Sequence, residues 1–303
     1  MKWLEVSVTT SAEAAEAVAD VLAVHATNGT VISGDTQTPN APLTVRAYLP
    51  ESGSINLLQR SIREAIWHLS QISPIPEPSF TWIDGEDWAE SWKKHFQPVA
   101  AGRTLIIVPA WMRAEWSPPK DSSRRPLFLE PGMAFGTGAH PSTRLCLAAL
   151  EDTVRPGDLV IDVGCGSGIL SVAAAFLGAG HVLACDLDEL ALRATRRSAE
   201  LNGVEARLDV LAGSLPEVEA RLGDGRRADV LVANILAPVL AGMLREGLAG
   251  LVHPGGRAIL AGILSEQRDL VLLAGVAAGM SLEAETSEGD WLAMLYQRGS
   301  DPD

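Results

Sequence analysis

The residues best equipped for chemistry lie in the stretch VIDVGCGSGIL, Val160 to Leu170. An apolar run ends in Asp162, and Gly164, Gly166 and Gly168 follow at alternate positions. Glycine after a strand lets backbone approach a ligand closely at little steric cost. The dinucleotide fingerprint is G-x-G-x-x-G, with a pyrophosphate over a helix N-terminus. Here the spacing is G-x-G-x-G and an acid leads it. A carboxylate just ahead of the glycines is poorly placed beside a pyrophosphate and well placed beside a cation. Roughly twenty residues on, the next apolar run ends in Asp186, where a carboxylate can accept hydrogen bonds from ribose hydroxyls. A dinucleotide site and a tight turn with no ligand are the alternatives.

A nucleoside with a cationic amino end is S-adenosylmethionine. The form D-x-G-x-G-x-G with a second acid on the next strand resembles the class I methyltransferase pattern, so methyl is the expected moving group. ADVLVANILAP sets Asn234 at the end of a fourth apolar strand. In open α/β sheets that edge binds ligands. An Asn there resembles the [DN]-P-P-[YFW] motif of methylases acting on amide or base nitrogens, but this chain has N-I-L-A. Planar nitrogens gain from stacking on a ring, and Ile235, Leu236 and Ala237 supply none. An alkyl amine needs no ring. It must lose a proton and be oriented by acceptors such as the Asn234 side chain or nearby carbonyls, with no essential general base expected. A strand-end cap is the alternative role for Asn234. Upstream, LEPGMAFGTGAHPSTR, Leu129 to Arg144, is a glycine-rich loop running into a helix. Ser142 or Thr143 is expected to cap that helix, and His140 to be a structural hydrogen-bonder rather than a base.

The elements that position these residues follow from periodicity. Residues 1–84 read as strand, helix, strand, strand, helix, strand. KWLEVSV alternates, and SAEAAEAVADVLAVH has helical spacing behind Ser11 as N-cap. That order predicts a small α+β domain of ferredoxin-like type. Residues 85–98, GEDWAESWKKHFQP, predict a short helical connector with Trp88, Trp92 and Phe96 on one face. Those rings either pack the connector onto a domain or form a substrate-facing patch. Residues 99–303 read as apolar strands, then strands alternating with helices, then a hairpin turning near Gly289. This predicts a Rossmann-like α/β domain with a mostly parallel sheet.

The chain has 303 residues, long enough for two domains, and 47% are hydrophobic. The formal net charge is −14, with few lysines (Lys2, Lys93, Lys94 and Lys120). That argues against nucleic-acid phosphate as the partner and suits a basic protein drawn in by long-range attraction. Cys146, Cys165 and Cys185 show no metal-ligand spacing, so no metal is expected. An odd cysteine count, no apolar signal core at MKWLEVSVTT and no long uncharged apolar run predict a cytoplasmic protein with no membrane span. No oligomer interface is legible, so a monomer is the starting expectation.

Taken together, PGMAFGTGxHPST, IDVGCGSGILS and VANILA resemble the ribosomal protein L-eleven methyltransferases, the PrmA family. The connector W-x-x-x-W-K-K-x-F-x-P and the ending EGDWLAMLY also resemble that family. The resemblance covers almost the whole chain. It implies methylation of the large-subunit ribosomal protein L-eleven at lysine side chains and the N-terminal amine, with S-adenosylmethionine as donor. It implies that the N-terminal domain recognises the substrate. By matching motif positions, Thr143, Gly164, Asp186 and Asn234 would contact the cofactor or line its site, beside Asp162, Gly166 and Gly168. Ser142 departs from the usual Thr. A methyltransferase with another substrate and a non-catalytic adaptor on the same fold are the competing readings.

Overall fold

A computed structural model describes residues 2–23, 30–33, 42–51, 55–71, 74–84, 97–118, 123–130, 138, 140–223 and 225–300. The expected connector rings, Trp88, Trp92 and Phe96, fall outside the described residues, as does residues 131–137 of the glycine-rich loop. The chain divides into two units, Met1–Gln97 and Pro98–Asp303.

In the first unit, β1 (Lys2–Thr10), α1 (Ala12–Ala23), β2 (Thr30–Ser33), β3 (Leu43–Pro50), α2 (Ile55–Ser70) and β4 (Ser79–Asp84) follow in chain order. The strands form an antiparallel sheet ordered β2-β3-β1-β4, the ferredoxin-like arrangement. Alternation in β1 turns Leu4, Val6 and Val8 inward, onto Val18 and Leu22 of α1 and Ile62 and Ile66 of α2. Ser11 Oγ accepts the Ala14 N–H at 3.3 Å and caps α1. Polar side chains pair across strands on the other face. Ser7 Oγ lies 2.8 Å from Ser79 Oγ, and Arg46 reaches both Ser33 Oγ (2.6 Å) and Glu5 (3.8 Å).

The second unit opens with a small sheet that periodicity did not separate from the main one. It comprises β5 (Val99–Ala101), β6 (Leu105–Pro109) and β7 (Arg125–Leu129). Then come α3 (Pro141–Thr153), β8 (Leu159–Val163), α4 (Ile169–Leu177), β9 (His181–Asp186), α5 (Glu189–Asn202), β10 (Leu208–Ala212), α6 (Leu215–Leu222), β11 (Ala228–Asn234), α7 (Ala237–Arg245), β12 (Val252–Leu264), α8 (Arg268–Ala277), β13 (Met280–Glu288) and β14 (Trp291–Arg298). Asn202 clips α5 to the rim of the small sheet: its amide accepts the Phe128 N–H (2.8 Å) and donates to the Phe128 carbonyl (2.7 Å).

The seven-stranded sheet runs β10-β9-β8-β11-β12-β14-β13. Strands β8 to β12 are parallel, and β14 is antiparallel to both of its neighbours. Strands buried on both faces read as continuous apolar runs, and LVIDV is such a run broken only by Asp162. Leu159, Ile161 and Val163 face a core shared with α6, α7 and α8. Val160 and Val182 face one built from α3, α4 and α5. Chain order reverses between β8 and β11, and ligands bind at such a reversal, outside the carboxyl ends of the strands.

A bulge in β12 shapes that edge. Pairing with β14 shifts between Ala261 and Ile263, leaving Gly262 unpaired at φ +82°. A Cβ there would sit 2.5 Å from the Ile235 carbonyl oxygen. The turn from β11 into α7 therefore rests on bare backbone. Gly262→Ala is expected to lower unfolding free energy by about 3 kcal/mol, measured by urea denaturation. A loss well under about 1 kcal/mol would show that the turn is not held by this approach.

Candidate active site

The glycine turn leaves β8 at Gly164 and enters α4 after Gly168. Gly164, Gly166 and Gly168 take φ of +73°, +53° and +78°, a region that other residues adopt only at a cost. Its fastenings come from the neighbouring strand and helix. Gly164 and Cys165 N–H groups both donate to the Cys185 carbonyl (2.9 and 3.0 Å), and Gly168 N–H donates to the Cys165 carbonyl (2.8 Å). From α5, Thr195 Oγ1 donates to the Gly166 carbonyl (3.1 Å) and Ser198 Oγ to the Ser167 carbonyl (2.7 Å). Those two hydroxyls were not singled out from sequence. Their signal is the three-residue spacing that puts them on one helix face.

Asp186 stands at the end of β9, level with the turn. Its Oδ2 accepts the Gly166 N–H at 3.0 Å and its Oδ1 the Asp188 N–H at 2.9 Å. Each carboxylate oxygen can accept again, so the residue can anchor the turn and still bind hydroxyls. The next side chain, Leu187, is 81% exposed. An apolar group so open beside the acid is a second feature not singled out from sequence.

Asp162 lies on the strand face shared with α3 and α4 and is fully buried. Ser171 Oγ of α4 donates to Oδ2 at 2.5 Å. Oδ1 is buried with no hydrogen-bond partner among the described residues. Burial pushes the carboxyl up to about 7; the hydroxyl and backbone N–H of Ser171 oppose that rise, and the charge of Asp186 adds to it. A cation at the glycine turn would favour the ionised form. The buried thiols of Cys146, Cys165 and Cys185 are all raised by burial first and by the Asp162 charge second, Cys185 to about 12. They are thiols at neutral pH, not thiolate nucleophiles.

Asn234 ends β11 next to the turn: Val163 pairs with Ala233, and a Cβ on Gly164 would sit 2.6 Å from Ile235 Cγ2. Its Nδ2 donates to Thr143 Oγ1 at 3.3 Å, which leaves Oδ1 to accept. Leu236, two residues on, is 67% exposed. Thr143 is buried in the first turn of α3. The helix is not capped by Ser142 or Thr143, as the sequence suggested, but by His140. Pro141 disfavours a helical conformation for the residue before it, and His140 takes φ −67°, ψ 139°. His140 Nδ1 accepts the Ser142 N–H (3.3 Å) and lies 2.7 Å from Ser142 Oγ. Its ring meets Trp291 edge-on, centroids 4.5 Å apart. One residue past Thr143, Arg144 forks onto the Glu288 carboxylate, its Nε 3.0 and 3.2 Å from the two oxygens, with a further contact from Nη2. Gly164, Gly166, Gly168, Asp162, Asp186, Asn234 and Thr143 thus converge on one sheet edge. Among the described residues no group of three or more His, Cys, Asp or Glu side chains could hold a metal, and no helix is long and apolar enough to cross a membrane.

The chain is similar to proteins already described. The family described as ribosomal protein L11 methyltransferase (PrmA) matches residues 2–299. A ribosomal protein L11 methyltransferase of Chloroflexus aurantiacus is 38% identical, over 98% of each chain. One of Parasynechococcus marenigrum is 46% identical over 74% of this chain and 76% of its own. The crystal structure of a ribosomal protein L11 methylase from Lactobacillus delbrueckii subsp. bulgaricus is 32% identical. It covers 67% of this chain and all of its own, with a TM-score of 0.59.

The buried Asp162 has a consequence for stability. An Asp titrates near 3.9 in an unfolded chain, and this one near 7 when folded. Between those values the native state holds a proton that the unfolded chain has released. Its contribution is full below the unfolded value and is lost as pH rises toward the folded one. Asp152, held down by its hydrogen bond from Arg103, and Glu217, held down by the Ser214 N–H, act at lower pH and with opposite sign. The ligand-free protein is expected to lose about 2 kcal/mol between about pH 5 and pH 7.5. Asp162→Asn should flatten that slope in urea denaturation. An equal slope in the variant would refute the assignment.

Proposed function

The chain belongs to the ribosomal protein L11 methyltransferase family, and on that premise we propose that it carries methyl groups from S-adenosylmethionine to lysine side-chain and N-terminal amines of ribosomal protein L11. The observation that carries the reading is Asn234 at the chain reversal, its Nδ2 bound to Thr143 and its Oδ1 left to accept an amine N–H. The surroundings suit the cofactor. Asp162 offers a buried, unpartnered carboxylate oxygen under a turn of left-handed glycines, and Asp186 offers acceptor capacity at the next strand end. Thr143, Asp162, Gly164, Gly166, Gly168, Asp186 and Asn234 are the residues that would hold it. When bound, S-adenosylmethionine supplies an electrophilic methyl on a sulfonium.

The chain's own part is to bind, orient and desolvate the amine. A lysine amine titrates near 10.4 in water and must shed a proton before it can attack. An apolar wall lowers that value, and the partly buried Ile235 and the exposed Leu236 provide one without a ring. Asn234 Oδ1 accepts one N–H and so aims the lone pair. Positioning of this kind supplies several kcal/mol of a barrier. His140 Nδ1 is committed to the start of α3, so no side chain is assigned as an essential base; the proton leaves to water before attack. The small N-terminal unit is the recognition module for L11, and the net charge of −14 draws in a basic protein.

Labelled methyl transfer to ribosomal proteins from a strain lacking this gene, resolved by mass, tests the proposal. Label is expected on L11, at lysines and the N-terminal amine. Label absent from L11, with cofactor still bound, would sink it. His140→Asn keeps a capping acceptor and is expected to retain turnover within about threefold. Loss of turnover in that variant, with cofactor affinity unchanged, would show that a base is needed.

A further inference from the structure

We propose that the Arg144–Glu288 ion pair is a positioning element for the reaction. By tying the first turn of α3 to the β13–β14 hairpin, it sets the Thr143–Asn234 contact and so the orientation of the Asn234 amide. The inference rests on the reading of Asn234 as the residue that orients the amine.

Helix electrostatics do not explain Arg144. It stands in the first turn of α3, where the helix end carries partial positive charge and a cation is disfavoured. No acidic residue stands in that turn. What explains it is its reach. The guanidinium takes both Glu288 oxygens in a fork, a geometry that fixes direction as well as distance. Glu288 is the last residue of β13 and pairs in register with Trp291, the first of β14. Trp291 meets the ring of His140, the N-cap of the same helix. Contacts at positions 140 and 144 therefore land on one hairpin, and Thr143 lies between them. The Thr143–Asn234 hydrogen bond is 3.3 Å long, near the outer limit for such a bond. A slide of α3 by a few tenths of an ångström would break it. Asn234 itself is held by the sheet: it pairs with Ala261 of β12, and the Ile235 N–H that follows donates to the Ala261 carbonyl (3.2 Å). The movable partner is thus Thr143.

The test is a double-mutant cycle on the full chain, Glu288→Gln against Asn234→Ala. It reads kcat, KM for L11 and cofactor Kd by calorimetry. Glu288→Gln is expected to lower kcat about tenfold while KM for L11 holds within about twofold. In the Asn234→Ala background the same change should cost less than about threefold, because the contact it serves is already gone. Equal losses in both backgrounds, or an unchanged kcat in the single variant, would overturn the inference and leave the role of Asn234 standing. An Asn234→Ala enzyme with full turnover would remove both. Arg144→Lys keeps the charge and loses the fork, and it replaces Glu288→Gln in the cycle should that variant not fold. A loss of similar size is expected; wild-type turnover would count against the proposal.

Discussion

Everything at the site depends on the direction in which the chain leaves β8. Five parallel strands end at one edge, and successive strands step away from β8 on one side before returning on the other through β11. The turns after β8 and β11 therefore diverge, and the crevice between them is the place where polar backbone can meet a ligand. The glycine turn, Asp186 and Asn234 are three strand ends of a single sheet, and no loop of independent conformation has to bring them together.

That arrangement tolerates features that would be defects elsewhere. Asp162 interrupts an apolar strand and points into an apolar layer, one oxygen unsatisfied among the described residues. Such a group costs of order 1–3 kcal/mol. Under the proposed function its worth would be electrostatic: in a low-dielectric layer a carboxylate acts more strongly on a nearby cation than it would in water. The bulge at Gly262 is similar. It disturbs the β12–β14 ladder and lets the turn after Asn234 press against bare backbone.

Much of this was legible before the structure. Alternation in KWLEVSV, helical spacing behind Ser11 and the order of elements gave the ferredoxin-like sheet, because those signals are local. The glycine spacing and the acids at 162 and 186 pointed to the crevice, because a βα turn has few solutions. What was not legible is mostly pairing at long separation. Arg144 and Glu288 are 144 positions apart, and nothing in either neighbourhood names the other. The cap of α3 was misread because Ser and Thr are the usual caps. Pro141 fixed the boundary two residues ahead of Ser142, at a histidine whose ring nitrogen serves as acceptor. The place of β14 within the sheet was likewise hidden, since a hairpin pattern does not say which of its strands lies inside.

That last feature bears on the order of events during synthesis. β14 fills the gap between β12 and β13 and holds both by antiparallel ladders. It is made after every other strand of the sheet. Until it emerges, β12 is an apolar edge and β13 has no neighbour. Glu288 at the end of β13 and Trp291 at the start of β14, which clasp the start of α3, emerge at the same late point. Fastening of the start of α3 is thus a late event that depends on contacts of high sequence separation, and such contacts form slowly. A nascent chain halted before the hairpin would lack the Arg144–Glu288 and His140–Trp291 contacts at the start of α3, and would present an open strand edge for chaperones to cover.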